Sequence, residues 1–404
     1  MSRISQASLR LIYDSRGRPT VEARIVTELG GVATAGAPSG ESTGATEVQA
    51  FPSGGVPEAL QYFERDLRPR LLTLSVDDQG AVDRMLHEVD GTPNFSRIGG
   101  NTATAVSVAA AIARATESRT ALWRTLLRPG LDGGSYPAIV GNCLNGGRHA
   151  IGGPEIQEYH AIAEATEPAD AVRAALEVHH LLGKRLKTKF PNYALGRGDE
   201  GGWVAPLGNV EALELLADAC TEVRDRLHSP VYPGLDLAAS EFYRDGRYAY
   251  RERSLDRDGQ VAFVAGLVDK YGLRYVEDPI QEADYDGFAA LTKAVGHRTL
   301  VIGDDLYTTQ ESRVAEGVRR HASNAVLIKV NQVGTLTDTL ATVDLARRSG
   351  WKTITSHRSG ETPDAWLTHL AIAFGSAGLK CGLLGGERVA KLNELLRLAT
   401  PPGN

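Results

Sequence analysis

The chain has 404 residues, 42% of them hydrophobic, and a formal net charge of −6, which favours two domains and argues against nucleic acid as the main partner. Its three scattered cysteines form no CxxC pair, so neither a zinc site nor a disulfide framework is predicted. The N-terminus has no apolar signal core and the chain has no long apolar stretch, so a cytoplasmic protein without a membrane partner is expected.

The first part of the chain, residues 1–134, is predicted to form an α+β domain. Residues 4–36 alternate apolar and polar positions around a turn at 14–17, which indicates antiparallel strands. Residues 37–46 are small and turn-rich and predict a mobile loop. Helices are predicted near 56–74, 80–88 and 102–118, and the apolar stretch in the last of these indicates a buried helix.

From residue 135 to 404, strand-like runs alternate with helical sequence. SYPAIVGNCLNGG and EIQEYHAIA read as the first two strands, and long amphipathic helices follow near 167–189 and 209–227. Further strand-like runs recur near 232–237, 273–278, 299–304, 325–330, 352–356 and 378–381. The gaps between them are long enough for one crossover helix each, which predicts a parallel β/α barrel. A doubly wound open sheet is the alternative, but its GxGxxG fingerprint is missing.

Three acidic residues, Asp236, Glu277 and Asp304, stand where three of these apolar runs end. The carboxyl ends of barrel strands meet at one face, and Mg²⁺ prefers a few carboxylate ligands together with water and substrate oxygens. Each acid alone could be a helix N-cap or a salt-bridge partner. Their corresponding positions in three successive units nevertheless favour a metal site, and no histidine spacing suggests zinc.

Two lysines, Lys329 and Lys380, lie in apolar strand-like runs and are the candidate bases. A free lysine is a poor base at neutral pH. A nearby Mg²⁺ ion and a second lysine are each expected to lower its pKa. The alternative is that each lysine pairs with a barrel acid and only neutralises its charge.

Other candidate residues lie in glycine-rich loops and at a further strand end. Glu200 lies in GRGDEGGW, where the flexible backbone can bring it close to a ligand, although a surface turn would explain it equally well. Glu158 lies among strand-like residues and His149 follows LNGGR. His357, Arg358 and Ser359 follow a strand, and the arginine and serine suit a phosphate clamp, with a capping serine beside a surface arginine as the alternative.

These motifs resemble the enolase family over nearly the whole chain. The resemblance implies an enolase-type β/α barrel with an N-terminal α+β capping domain, and a homodimer or higher homo-oligomer. It rests on DSRGRPTVEA (14–23), PSGESTGA (38–45), LNGGRHA (144–150), GDEGG (198–202), LDLAASEFY (235–243), VEDPI (276–280), GDDL (303–306), IKVNQVGTLT (328–337), SHRSGET (356–362) and ERVAKLNELLR (387–397).

The resemblance also implies a role for each candidate residue. Two Mg²⁺ ions are expected with substrate bound, the first on the three strand-end acids and the second on Ser42. Lys329 is expected to take the C2 proton, and Glu200, held by Glu158, to protonate the departing C3 hydroxyl. Lys380 is expected to bind the substrate carboxylate. The remaining residues are expected to line the site or bind a small phosphorylated or phosphonylated acid: His149, His357, Gln157, Arg358 and Ser359.

The chain departs from the usual family pattern on the loops around the site. Glu41 stands where the family usually has alanine, and Arg148 and Arg197 are added near the phosphate and acid sides. These changes predict a specialised paralogue that accepts a substrate with extra negative charge and resembles the carboxyphosphonoenolpyruvate synthases of phosphonate antibiotic pathways. The alternatives are a glycolytic enolase with neutral loop changes and a non-catalytic protein that reuses the fold.

Overall fold

The computed structural model describes residues 2–41, 44–131 and 133–400. Its N-terminal part begins with an antiparallel three-stranded sheet in the order β1-β2-β3, as the alternating pattern predicts. The alternation places Val21, Ala23 and Ile25 on the buried face. The strands are β1 (Ile4–Tyr13), β2 (Pro19–Thr27) and β3 (Val32–Gly36).

Five helices follow this sheet, and the fourth of them joins the sheet to the barrel. α4 is buried on almost every face, because its alanine, serine, threonine and glycine residues permit close contact. It packs against β2, β3 and the barrel segment Val330–Gln332. The helices are α1 (Gly55–Tyr62), which continues through a π-helical turn (Phe63–Leu67) into α2 (Arg68–Leu71), α3 (Gln79–Asp90), α4 (Gly100–Glu117) and α5 (Leu122–Leu126).

The second part of the chain is a closed eight-stranded barrel. Pairing of its last strand with its first closes the sheet. The barrel strands are β4 (Ala138–Asn145), β5 (Glu158–Ala163), β8 (Val231–Asp236), β12 (Tyr275–Glu277), β13 (Leu300–Gly303), β14 (Ala325–Ile328), β15 (Lys352–Ser356) and β16 (Gly378–Gly382). Short strands extend the connections: β6 (Gly196–Arg197), β7 (Trp203–Val204), β9 (Tyr243–Arg244), β10 (Arg247–Ala249) and β11 (Ser254–Leu255).

The prediction of a wholly parallel barrel is wrong for one strand. β5 runs antiparallel to both β4 and β8. The link between β4 and β5 is residues 146–157, and this short segment holds only one 3₁₀ turn instead of a crossover helix. The reversal places the first residue of β5, Glu158, opposite the last residue of β8, Asp236.

Helices surround the barrel and begin with recognisable caps. The side chain of Asp256 accepts a hydrogen bond from the Gly259 amide, and that of Asp284 accepts one from the Gly287 amide. Within the described residues, no helix is long and apolar enough to cross a membrane. The helices are α6 (Pro168–Lys189), α7 (Asn209–Leu227), α8 (Arg257–Tyr271), α9 (Tyr285–Val295), α10 (Glu311–Arg320), α11 (Leu336–Arg348), α12 (Trp366–Ala373) and α13 (Gly386–Ala399).

Candidate active site

The three strand-end acids meet at the carboxyl end of the barrel. Glu277 and Asp236 are register partners at the ends of β12 and β8, and Asp304 follows β13. All three side chains are buried, and Glu277 is 0% exposed. Two neighbouring strands bring lysines to the same face, because Lys329 directly follows β14 and Lys380 lies in β16. These three acids and two lysines therefore lie at one end of the barrel.

Each lysine contacts these acids directly. The Nζ atom of Lys380 lies 2.8 Å from both carboxylate oxygens of Glu277, 3.0 Å from Oδ2 of Asp236 and 3.5 Å from Oε2 of Glu158. Lys329 donates a hydrogen bond to Asp304. Burial lowers the pKa of Lys329, but Asp304 outweighs it and the pKa is raised. Lys380 lowers this pKa, as predicted for a second lysine, but the Asp304 carboxylate stabilises the ammonium form more strongly.

The acid cluster fits a hard divalent cation. Burial and the adjacent Asp236 carboxylate raise the pKa of Glu277 well above its usual value, although Lys380 opposes the shift. The group thus offers several carboxylate oxygens whose negative charge is only partly balanced, which is the donor chemistry that Mg²⁺ prefers. Glu277 also accepts a hydrogen bond from the hydroxyl of Tyr275. Gln332 donates to Oδ1 of Asp304 at 2.9 Å. These two hydrogen bonds orient the carboxylates of Glu277 and Asp304.

Asp278 supports this cluster from outside the pocket. Its two carboxylate oxygens accept hydrogen bonds at 2.9 Å from the amides of Asp304 and Asp305. Asp278, Asp304 and Asp305 lie close enough together to share a cation, but the bonds of Asp278 to the backbone suit it to orienting Asp304. We had not predicted this role, although Asp278 directly follows Glu277 in the motif VEDPI.

A second group of acids lies across the pocket. Glu158 and Glu200 are both buried, and the side-chain amide of Asn142 donates to each of them at 3.1 Å. The Nδ1 atom of His149 lies 3.3 Å from Glu158 and 3.8 Å from Glu200. Burial lowers the pKa of His149, but the two carboxylates outweigh it and raise the pKa to about 9. His149 is therefore a cation at neutral pH and compensates this acid pair.

The environments of Glu158 and Glu200 push their pKa values apart. Burial and the charge of Glu200 raise the pKa of Glu158. Burial also raises the pKa of Glu200, but His357 and His149 outweigh it and hold the value well below the usual range. Because the two acids share Asn142 and His149, they titrate as a pair, and Glu158 takes up the first proton.

His357 faces Glu200 in a defined tautomer. Its Nδ1 atom accepts hydrogen bonds from the Arg388 guanidinium at 2.6 Å and from the Gly382 amide at 3.3 Å. The ring proton therefore lies on Nε2, which is 3.0 Å from Oε2 of Glu200. Burial lowers the pKa of His357 to about 4, so the ring is neutral at neutral pH.

Arg358 and Ser359 lie together at the side of the pocket that adjoins the N-terminal domain. Arg358 donates to both carboxylate oxygens of Glu47, at 3.0 and 3.1 Å, and to Oδ1 of Asn331 at 2.8 Å. The Glu41 amide donates to Oγ of Ser359 at 2.7 Å. The N-terminal domain thus contributes directly to this side of the site, as a capping domain is expected to do.

Arg388 holds this segment from beneath and is a residue that we had not predicted. Its guanidinium is fully buried and donates to the carbonyl oxygens of Arg358 at 2.6 Å and Ser359 at 2.7 Å. It also donates to the carbonyl oxygen of Asp199, next to Glu200, at 3.2 Å. Its position in the motif ERVAK was visible in the sequence, but the motif gives no indication of these contacts.

Most predicted site residues line one pocket, but three of those that the structure describes do not: Glu277, which is fully buried beneath it, Arg148 and Arg197. The lining residues are Gly40, His149, Gln157, Glu158, Glu200, Asp236, Asp304, Lys329, Ser356, His357, Arg358, Ser359 and Lys380. Arg148 pairs with Glu241 at 2.6 Å and its side chain is 55% exposed, while Arg197 lies on the exposed strand β6. The structure therefore does not bring these two arginines into the pocket. Ser42 lies outside the described residues.

Comparisons with known proteins point to the same family in both parts of the chain. The family models described as "Enolase, N-terminal domain" and "Enolase, C-terminal TIM barrel domain" match residues 4–126 and 135–403. The Enolase of Methanothermobacter thermautotrophicus is 45% identical over 403 residues, which are 98% of this chain and 96% of that protein. The Enolase of Methanocorpusculum labreanum is 45% identical, and the match covers 98% of this chain and 99% of that protein. The Enolase of Halorubrum lacusprofundi is 43% identical, with 99% of each covered.

Proposed function

Because this chain belongs to the enolase family, we propose that it removes water from 2-phosphoglycerate to form phosphoenolpyruvate. Members of this family are Mg²⁺-dependent hydro-lyases that act on a small phosphorylated carboxylic acid, and the chain is an enzyme of this class. The observation that carries the proposal is the convergence of an acid pair, a strand-end acid cluster and two lysines in one buried pocket.

The specialised, phosphonate-directed paralogue that the sequence suggested has no support. The relatives compared with this chain above match it over nearly its full length and bear the name Enolase. Arg148 and Arg197, which motivated that prediction, lie outside the pocket. Glu41 contacts Ser359 through its backbone amide, and its carboxylate pairs with Arg16 and Arg18 at 2.6 Å. A non-catalytic protein is also disfavoured, because the acid pair and both lysines are retained. The homodimer and the cytoplasmic location remain predictions.

The strand-end acids and the lysines prepare the substrate for proton loss. Asp236, Glu277 and Asp304 would hold Mg²⁺, which supplies the positive charge that stabilises the additional negative charge on the substrate carboxylate. Lys380, already positioned beside two of these acids, would bind that carboxylate. Release of the bond to Asp304 would lower the pKa of the Lys329 ammonium group, which would then lose a proton to solvent and accept the C2 proton as the free amine.

The acid pair completes the elimination on the other side of the pocket. Glu200 would donate a proton to the C3 hydroxyl, so that the hydroxyl leaves as water while the C2–C3 double bond forms. Glu158, which takes up the first proton of the pair, would resupply Glu200 by way of His149, which would pass its Nδ1 proton to Glu200 and accept one from Glu158. Arg358 and Ser359 would bind the phosphate, and His149 and His357 would hold the acid pair in place.

The test is turnover of 2-phosphoglycerate, followed by the ultraviolet absorbance of the enolpyruvate product. We expect activity that needs Mg²⁺, is lost with a chelator and returns when the ion is restored. Lys329→Ala should lower kcat by about 10²–10⁴-fold, the usual contribution of a general base, while Mg²⁺ binding is kept. An unchanged rate would remove Lys329 as the base.

A substrate comparison separates the two enolase-type functions. The wild-type protein is assayed in parallel with 2-phosphoglycerate and with an analogue that carries an additional carboxylate on phosphorus. The proposal requires that kcat/KM be higher for 2-phosphoglycerate. A preference for the carboxylated analogue would overturn it and restore the specialised paralogue.

A further inference from the structure

Glu200 lies on a glycine-rich loop that is closed by two backbone hydrogen bonds, from the Gly201 amide to the Gly198 carbonyl and from the Gly198 amide to the Gly202 carbonyl, both 2.9 Å. The loop joins β6 and β7 and contains Gly198, Gly201 and Gly202. Gly201 has a φ of +82°, and a Cβ atom there would lie 2.5 Å from the carbonyl oxygen of Leu384. Glycine is required by this close approach, but it also gives the loop many alternative conformations. The internal bonds shape the loop locally, and its placement relative to the barrel depends on contacts with other elements.

One of these contacts comes from His179 on helix α6. The side chain is fully buried, and its Nε2 atom lies 2.9 Å from the carbonyl oxygen of Gly201. A carbonyl oxygen only accepts hydrogen bonds, so the ring proton lies on Nε2. The other ring nitrogen, Nδ1, has no hydrogen-bond partner among the residues that the structure describes. The buried imidazole is thus committed to a single bond, and that bond holds the residue directly after Glu200.

Trp203 connects the far end of the same loop to the same point of the helix. Its indole Nε1 donates to the carbonyl oxygen of His179 at 2.9 Å, and the two rings pack with centroids 5.3 Å apart. Gly183, one turn further along α6, makes room for the indole, because a Cβ atom there would lie 2.6 Å from the Trp203 ring. Loop and helix are therefore joined by two hydrogen bonds in opposite directions and by the contact of two tilted rings.

We infer that His179 and Trp203 are positioning residues that fix the acid Glu200 at the C3 side of the pocket. The inference rests on the proposed function, because it assigns the pair to the elimination step of that reaction. Neither residue lines the pocket within the described part of the chain, so both act through the loop. Gly201 is the covalent neighbour of Glu200, and a shift of its carbonyl group displaces the carboxylate from Asn142 and His357.

A purely structural role makes a different prediction from a positioning role. In the proposed reaction Lys329 removes the C2 proton and Glu200 acts only afterwards, on the hydroxyl. Loss of the loop anchor should therefore slow dehydration and leave C2 hydrogen exchange with solvent nearly unchanged. General loosening of the barrel would slow both processes together. The ratio of exchange to dehydration is the quantity that separates the two roles.

The experiment uses the full-length protein with Mg²⁺ and 2-phosphoglycerate, and measures kcat, KM and deuterium exchange at C2. His179→Phe keeps an aromatic ring but removes the donor to Gly201. We expect it to lower kcat for dehydration by about 10- to 100-fold, the cost of a small misplacement of a catalytic group, with little change in KM. His179→Gln keeps an N–H donor and should recover most of the rate.

Two further variants complete the design. His180 adjoins His179 but is exposed, so His180→Phe is the matched control and should retain wild-type rates. Trp203→Phe removes the bond to the His179 carbonyl together with part of the indole packing at Gly183, and should show the same signature more weakly. It also provides the test if His179→Phe does not fold.

The outcomes separate this inference from the function on which it rests. A wild-type protein that does not dehydrate 2-phosphoglycerate would overturn the proposed function and this assignment with it. An active wild type whose His179→Phe or Trp203→Phe variant has normal dehydration would overturn the inference alone. If His179→Phe lowers the rates of C2 exchange and of dehydration equally, the role of His179 is structural and the inference is overturned.

Discussion

Lys380 is the residue whose removal most directly tests the charge balance of the acid cluster. Its ammonium group lies within 3.5 Å of oxygens from Glu277, Asp236 and Glu158, and its side chain is only 4% exposed. Lys380→Met keeps the length and most of the volume of the side chain but removes the charge. The variant therefore leaves buried carboxylates without their principal cation.

The expected loss of stability is large. Breaking a buried ion pair by removing one partner costs about 3–5 kcal/mol, because the remaining charge stays buried. We expect the free energy of unfolding in urea, measured without metal, to fall by this amount. Lys352→Met is the control, because Lys352 is exposed at the start of the neighbouring strand β15 and should change stability by less than about 0.5 kcal/mol.

The pH and metal dependence identify the cause of the loss. The pKa of Glu277 is already raised by burial, and it should rise further without Lys380. The folded state then binds more protons than the unfolded state, so the stability deficit should shrink as the pH falls towards 5. Mg²⁺ should also restore stability, by about 2.7 kcal/mol when present at a hundred times its Kd.

Three results would contradict this reasoning. A Lys380→Met protein as stable as the wild type without metal would show that the acids do not depend on the ammonium group. A deficit that does not change with pH would point to lost packing instead of unbalanced charge. Failure of Mg²⁺ to stabilise the variant would remove the acid cluster as the metal site.

Two further predictions concern residues that hold the pocket together. Arg388→Met should lower the free energy of unfolding by about 3–5 kcal/mol, because it removes the donor to four acceptors, three of them buried. Arg397→Met on the exposed face of the same helix should cost less than about 0.5 kcal/mol. The pKa of His149 is raised to about 9, so the stability it contributes is fully present below pH ~6.5 and lost as the pH rises through 9. Urea titrations of the wild type and His149→Gln should therefore differ most, by up to about 3 kcal/mol, at pH 6 and converge near pH 10; a difference that does not vary with pH would contradict the assignment.

The sequence was sufficient for most of the barrel, because each strand is a short apolar run followed by helical sequence. It was insufficient for the direction of β5. The apolar composition of a buried strand does not depend on which way it runs, and only the short link of residues 146–157 constrains the direction. The consequence is functional, because the reversed β5 presents its first residue, Glu158, at the same face as the last residues of the other strands.

Some residues of the site could be identified from the sequence, and others could not. Acids and lysines in apolar runs were identifiable, because burial of an unpaired charge is costly and such residues need a reason to be there. Arg388 and His179 were missed, because each lies on a helix and acts on backbone carbonyl groups that are remote in sequence. Arg148 was misplaced, because proximity to His149 in sequence did not reveal that its side chain turns outward to Glu241.

The charge of the pocket couples metal binding to substrate binding. Arg358 is already balanced by Glu47, so five carboxylates face three cationic side chains: Asp236, Glu277, Asp304, Glu158 and Glu200 against Lys329, Lys380 and His149. When Glu277 is ionised and the acid pair retains one proton, four negative charges face three positive ones. A phosphorylated carboxylic acid would add further negative charge, so Mg²⁺ favours its entry by offsetting this excess. By thermodynamic linkage the substrate must then strengthen metal binding by the same factor, so each ligand stabilises the site for the other.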